Sequence, residues 1–268
     1  MERETLAIAN IHLSVVSTGR GRPFVFQHGL CGSAEQIAEV FPKDIDWKCH
    51  TLECRGHGKS ECGNFADLSI GQFTEDVAAF ISSLNQGPVL VGGISMGAAI
   101  ALRLAVKRPD LVCGLVVARP AWVDQPAPEN LAPNRDVARY LAEYQPIEAQ
   151  SRFEKSPTAA RLRREAPDNL ASLLGFFKRL PLAETQALLE AIASDGPGVS
   201  RDEISKLDCL TLVVGTKRDA IHPLAMAKQV ARLIPNARLV EITSKADNAE
   251  QYRTEFCEVL RHFIEEID

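Results

Sequence analysis

The sequence predicts an α/β protein: a mostly parallel central sheet with helices on both faces and an inserted helical cap. Three observations carry this. Short apolar, β-prone runs alternate with segments of helical periodicity up to about residue 118 and again from about residue 210. Between about 124 and 200 strand signals disappear, and helical stretches broken by Pro126, Pro128, Pro133, Pro146, Pro157, Pro167, Pro181 and Pro197 take their place. A serine framed by glycines, Gly93-Ile94-Ser95-Met96-Gly97, stands between an apolar strand and a helical run, the strand–turn–helix context that such a motif requires. The core is therefore expected over 1–123 and 201–268, with the cap over 124–200.

In chain order, Thr5–Ile11 and His12–Ser17 are expected as paired strands. Arg22–Gln27 is a short apolar strand that runs into His28-Gly29. Ser33–Phe41 has a helical pattern, and Trp47–Glu53 is a strand that leaves through Arg55-Gly56-His57-Gly58. Over Ser69–Leu84, residues Phe73, Val77, Phe80, Ile81 and Leu84 fall on one helical face. The strand at Val89, the Ser95 turn and a helix from Ala98 follow, then a buried strand at Leu111–Ala118. After the cap come strand Leu210–Gly215, helix Leu224–Leu233, strand Ala237–Ile242 and helix Asn248–Ile267.

Composition narrows the function. Hydrophobic residues make up 46% and charged residues 24%, ordinary values for a globular protein. The net charge of −5, with 30 basic residues dispersed along the chain, argues against a nucleic-acid surface. No apolar run approaches the ~20 residues that span a bilayer, so no membrane association is expected, and Met1-Glu2-Arg3-Glu4 lacks the layout of a secretion signal. The seven cysteines are scattered and odd in number, which reads as reduced thiols in a cytoplasmic protein rather than a disulfide framework or a zinc site. The expected partner is a small-molecule substrate or ligand, with no cofactor.

The motifs resemble those of the α/β-hydrolase superfamily, in the same order and over nearly the whole chain. His28-Gly29-Leu30-Cys31-Gly32 resembles the oxyanion loop, and Arg55 to Ser60 the turn after the following strand. Gly93 to Gly97 resembles the nucleophile elbow. Gly215-Thr216-Lys217-Arg218-Asp219, with Pro223 four residues on, resembles the acid loop. The resemblance implies an α/β-hydrolase fold, Ser95 as nucleophile, the amides of Leu30 and Met96 as oxyanion hole, and Asp219 as the acid. The chemistry agrees independently. A serine hydroxyl needs a base to become nucleophilic, and two fixed N–H groups stabilise a tetrahedral oxyanion without reorganisation.

The base is the anomaly. The family's histidine follows the last strand, but here that stretch reads Thr243-Ser244-Lys245-Ala246-Asp247-Asn248, and Asp247 stands where the histidine would align. A carboxylate of ordinary pKa ~3.9 takes a hydroxyl proton poorly at neutral pH. Of the six histidines only His222, three residues after Asp219, can stand in; its other reading is a residue that starts a helix before Pro223. Weak or atypical hydrolysis of a small ester, lactone or thioester is thus expected. The alternatives are a silenced fold that binds a ligand, and a non-hydrolytic enzyme that uses the same pocket. Around the site, His28 either contacts substrate or holds its turn. Arg119, at a strand end, pairs with a substrate carboxylate or with Asp124. Trp122 lines the pocket or packs in the core, and Asp247 is expected to face the ligand.

Overall fold

A computed structural model describes residues 1–8 and 10–267. Its strands are β1 (Glu2–Ile8), β2 (Ile11–Gly19), β3 (Arg22–Gln27), β4 (Trp47–Leu52), β5 (Val89–Ile94), β6 (Val112–Ala118), β7 (Thr211–Gly215) and β8 (Ala237–Glu241). They form one sheet in the order β1-β2-β4-β3-β5-β6-β7-β8. Only β1–β2 and β2–β4 are antiparallel; the other five pairings are parallel. β5 and β7 are buried along their full length, as strands covered on both faces must be. The first two strands turn with Ile8 opposite Ile11, and Ala9, inside the first expected strand, lies outside the described residues.

Helices α1 (Ala34–Ala38), α2 (Ile70–Leu84) and α3 (Met96–Lys107) belong to the first half. α1 is shorter than the expected Ser33–Phe41. Pro42 disfavours helical backbone at Phe41, and Val40 and Phe41 are buried in the core. α2 starts where the Ser69 hydroxyl accepts the Gln72 N–H and ends at Asn85 in the left-handed region, φ 52°. Its stripe of Phe73, Val77, Phe80 and Ile81 is buried against the sheet, on the same side as α3. Phe24, Phe26, Ile37, Phe256 and Leu260 form the second apolar layer, on the opposite face.

Between β6 and β7 the chain forms α4 (Ala132–Glu143), α5 (Pro146–Glu154), α6 (Pro157–Glu165), α7 (Pro167–Phe176), α8 (Leu182–Ser194) and α9 (Arg201–Ile204). Pro146, Pro157 and Pro167 each occupy the first position of a helix, where the missing N–H costs no hydrogen bond. Residues 124–200 contain no strand among the described residues. Val137, Phe153, Leu162, Leu173, Phe177 and Leu189 give these helices an apolar cluster of their own. The chain closes with α10 (Leu224–Leu233) and α11 (Ala249–Ile267). Among the described residues no helix is long and apolar enough to cross a membrane.

Candidate active site

β5 delivers Ser95 to the first turn of α3. Its backbone has φ 58° and ψ −111°, in a region that non-glycine residues rarely occupy, at a cost of about 1–3 kcal/mol. The flanking glycines make the turn possible. A Cβ on Gly93 would sit 2.1 Å from the Gly97 carbonyl carbon, and one on Gly97 would sit 2.2 Å from the Gln27 oxygen. The Ser95 N–H donates to the Ala118 oxygen at 3.0 Å, which ties the turn to the end of β6.

The loop after β3 lies beside it. The Gly29 amide donates to Gln36 Oε1 at 2.7 Å, Cys31 to His57 Nε2 at 2.9 Å and Gly32 to the Gly29 oxygen at 2.9 Å. The Leu30 amide takes no part in this set, and the Met96 amide, first in α3, has no acceptor within its own helix. His28 is fully buried. Its Nδ1 donates to the Gly29 oxygen at 2.9 Å, while Nε2 accepts the Cys54 N–H at 3.1 Å. With both ring nitrogens occupied, it holds its turn; the expectation that it contacts substrate is corrected. His57 mirrors it, with Nδ1 donating to the Arg55 oxygen. Burial lowers both pKa values, which matches the neutral rings that these bonds require.

The third segment is the loop after β7. Asp219 Oδ1 accepts the N–H groups of Ile221 (3.2 Å) and His222 (2.9 Å). From α7, Asn169 Oδ1 accepts those of Ala220 (2.7 Å) and Ile221 (3.2 Å). This side-chain-capped turn folds the imidazole of His222 back onto the carboxylate three residues earlier. His222 Nδ1 lies 3.0 Å from both Asp219 oxygens, and His222 Nε2 lies 2.8 Å from Ser95 Oγ.

Arg119 completes the cluster. It leaves β6 with φ 45°, its Nε donates to Asp219 Oδ2 at 2.8 Å, and its Nη2 bonds to the same oxygen. Within the protein it therefore pairs with Asp219 and not with the expected Asp124, which is taken by Arg201 at 3.1 Å. The Arg119 Nη2 also lies 3.2 Å from His222 Nδ1. Both cannot be satisfied if that nitrogen carries a proton. The carboxylate contacts are shorter and charge-assisted, so Nδ1–H faces Asp219 and the Nε2 lone pair faces Ser95.

Burial opposes the charge on Asp219, but His222 and Arg119 outweigh it and hold the carboxyl far below the usual range. Burial, assisted by Arg119, lowers His222 against the pull of Asp219. Because His222 is then neutral near pH 7, Arg119 is the cation that keeps Asp219 ionised at rest.

Ser95, His222, Leu30, Arg119 and Trp122 line a cavity of about 110 Å³, closed by Leu131 just before α4, by Asn134 on α4 and by Asn169, Leu173 and Phe176 on α7. Trp122 fills both of its expected roles, since it lines this space yet is buried, its Nε1 donating to the Asp195 oxygen at 2.9 Å. Asp247 is not among the lining residues. It is exposed and bonds Arg218 Nη1 at 3.0 Å, so its expected place facing the ligand is corrected. Arg218, on the neighbouring loop, draws the carboxylate outward. Gln36, Asn134 and Asn169 escaped sequence reasoning because single amides within helical patterns carry no motif. The Asp219-to-His222 spacing was the one readable signal of the relocated imidazole.

The pattern that defines the alpha/beta hydrolase fold matches residues 22–246. Over 262 residues the chain is 27% identical to BpoC of Mycobacterium tuberculosis, which bears a non-heme bromoperoxidase name; the match covers 87% of this chain and 89% of that one. It is 35% identical over 122 residues to the (E)-2-((N-methylformamido)methylene)succinate hydrolase of Acinetobacter baylyi, covering 44% of this chain and 45% of the relative. Among solved structures, the enol-lactonase from Burkholderia xenovorans LB400 superposes with a TM-score of 0.71 at 22% identity, covering 96% of this chain and 100% of that one.

Proposed function

The chain belongs to the alpha/beta hydrolase fold family, and from that premise we propose that it is a serine hydrolase of a small ester, lactone or thioester, working through Ser95, His222 and Asp219. One observation carries the reading: Ser95 Oγ, His222 Nε2, His222 Nδ1 and Asp219 form a continuous hydrogen-bonded chain with links of 2.8 and 3.0 Å. This is the spacing that a nucleophile, its base and the group orienting that base require. The expectation of weak activity rested on an absent base. His222 supplies one from an unusual position, so appreciable turnover belongs to the proposal.

In the first half-reaction, Ser95 Oγ attacks the carbonyl carbon as His222 Nε2 takes its proton. The carbonyl oxygen becomes an oxyanion, which the amides of Leu30 and Met96 bind, with the N-terminal dipole of α3 behind Met96. Collapse of the intermediate expels the alkoxide or thiolate, which takes the proton from His222. Water then attacks the acyl-serine, His222 again accepting the proton and returning it to Ser95 as the acid leaves. Asp219 keeps Nδ1–H oriented and stabilises the transient imidazolium. Helices α4 to α8 act as the cap. The cavity of about 110 Å³ is smaller than one known to hold benzene, of about 150 Å³, which favours a short acyl group.

A fluorophosphonate probe tests the reading. The wild-type protein should label, and Ser95→Ala and His222→Ala should not. An unlabelled wild-type serine would overturn the proposal and favour a ligand-binding role.

A further inference from the structure

Arg119 is 9% exposed, adopts a left-handed backbone and makes two bonds to one oxygen of Asp219. Its guanidinium carbon lies 5.7 Å from the ring centre of Tyr252, on α11. Neither the serine elbow nor the acid loop demands a cation here, and its backbone conformation costs energy to maintain. We infer that Arg119 is a positioning residue for the base: it clamps the Asp219 carboxylate and limits the basicity of His222 through it. This rests on His222 being the base of Ser95.

The need follows from the short loop. Asp219 and His222 are three residues apart, and Asp219 Oδ1 already accepts two backbone amides. His222 Nδ1 lies 3.0 Å from both oxygens, and without Arg119 only that imidazole would restrain Oδ2, so the carboxylate could rotate about its Oδ1 amide bonds and take the ring's orientation with it. The two guanidinium bonds remove that freedom. They also share out the carboxylate's charge. When His222 takes the Ser95 proton, the imidazolium forms with a guanidinium nitrogen 3.2 Å from Nδ1, so the attraction of Asp219 is partly offset. The other charged or titratable groups facing this pair are Asp168 on α7 and Tyr252 on α11. Asp168 has a buried oxygen without a hydrogen-bond partner and favours the imidazolium, while Tyr252 is buried beside Arg119.

Three variants separate clamp from charge. Arg119→Lys keeps the charge and loses the fork, so kcat should fall about 10²-fold, the scale for a displaced catalytic group, with the acid limb of kcat/KM against pH unmoved. Arg119→Met should lower kcat similarly and move that limb to higher pH. Arg119→Gln, which retains a donor without charge, should move the limb in the same direction. KM should change little throughout; a large rise in KM with kcat preserved would make Arg119 a substrate-binding residue and overturn the inference. An NMR titration of His222 in a Ser95→Ala background reads the basicity without turnover. It should titrate at higher pH in the Met or Gln variant, whichever folds. An unmoved titration, or wild-type kcat in Arg119→Lys, refutes the inference. Failure of Ser95 to label would instead sink the hydrolase reading and leave the titration result standing.

Discussion

Replacing His222 with Ala is the perturbation with the clearest expected magnitude. The residue touches Ser95 Oγ directly at 2.8 Å. Of the groups lining the cavity, Arg119 is the only other titratable one, and its pKa, opposed by burial but raised more strongly by Asp219, leaves it protonated throughout. The Asp219 carboxylate next to the lost ring is held far below its usual range and is a poor base, so solvent must take the proton. Loss of the base from a comparable serine–histidine pair costs about 10⁶ in kcat, or about 8 kcal/mol of barrier, and what remains comes from the oxyanion donors and binding. The assay is steady-state hydrolysis of p-nitrophenyl acetate and butyrate at pH 7.5, with circular dichroism to show that the variant is folded. Asp247→Asn is the control. That carboxylate is exposed and tied to Arg218, outside the cavity, so its kcat/KM should stay within about twofold, since each 1.36 kcal/mol of barrier is worth tenfold. A folded His222→Ala variant that keeps more than about a tenth of wild-type kcat, a loss below one such step, would refute the assignment.

Four further outcomes are expected. The acid limb of kcat/KM should have its midpoint below the ordinary histidine value of about 6.5, because burial lowers the His222 pKa and the neutral ring is the active form; a midpoint above 7 would contradict this. Buried, neutral His28 and His57 have lowered folded pKa values, so the unfolded state binds more protons once pH drops below about 6.5, and each should cost up to about 1.4 kcal/mol of stability per pH unit there; urea melts at pH 7.5 and 5.5 measure it. Arg119→Met strands a buried carboxylate that keeps its amide donors, so the cost should be near the low end, about 3 kcal/mol, a fall in Tm of roughly 6–12 °C in a calorimetric scan. Gly97→Ala should abolish fluorophosphonate labelling or soluble yield, since the new methyl would lie 2.2 Å from the Gln27 oxygen.

Much of the fold is written locally. Alternating strand and helix patterns, glycines at 93 and 97 and prolines that start α5, α6 and α7 all act within a few residues, where backbone sterics and side-chain periodicity decide the outcome. Ser95 and Asp219 were legible for the same reason, as each belongs to a turn with its own chemistry. The sequence by itself singled out His222 as the one histidine that could stand in and placed Asp247 facing the ligand, but it could not show which of these two loop side chains turns inward. Tertiary structure decided it through contacts distant in the chain. Asn169, some 50 residues before the acid loop, fixes the amides that turn His222 inward, Arg119 takes Asp219 across 100 residues, and Arg218 draws Asp247 to the surface. Those pairings depend on which elements the sheet order brings side by side, information that no local pattern contains.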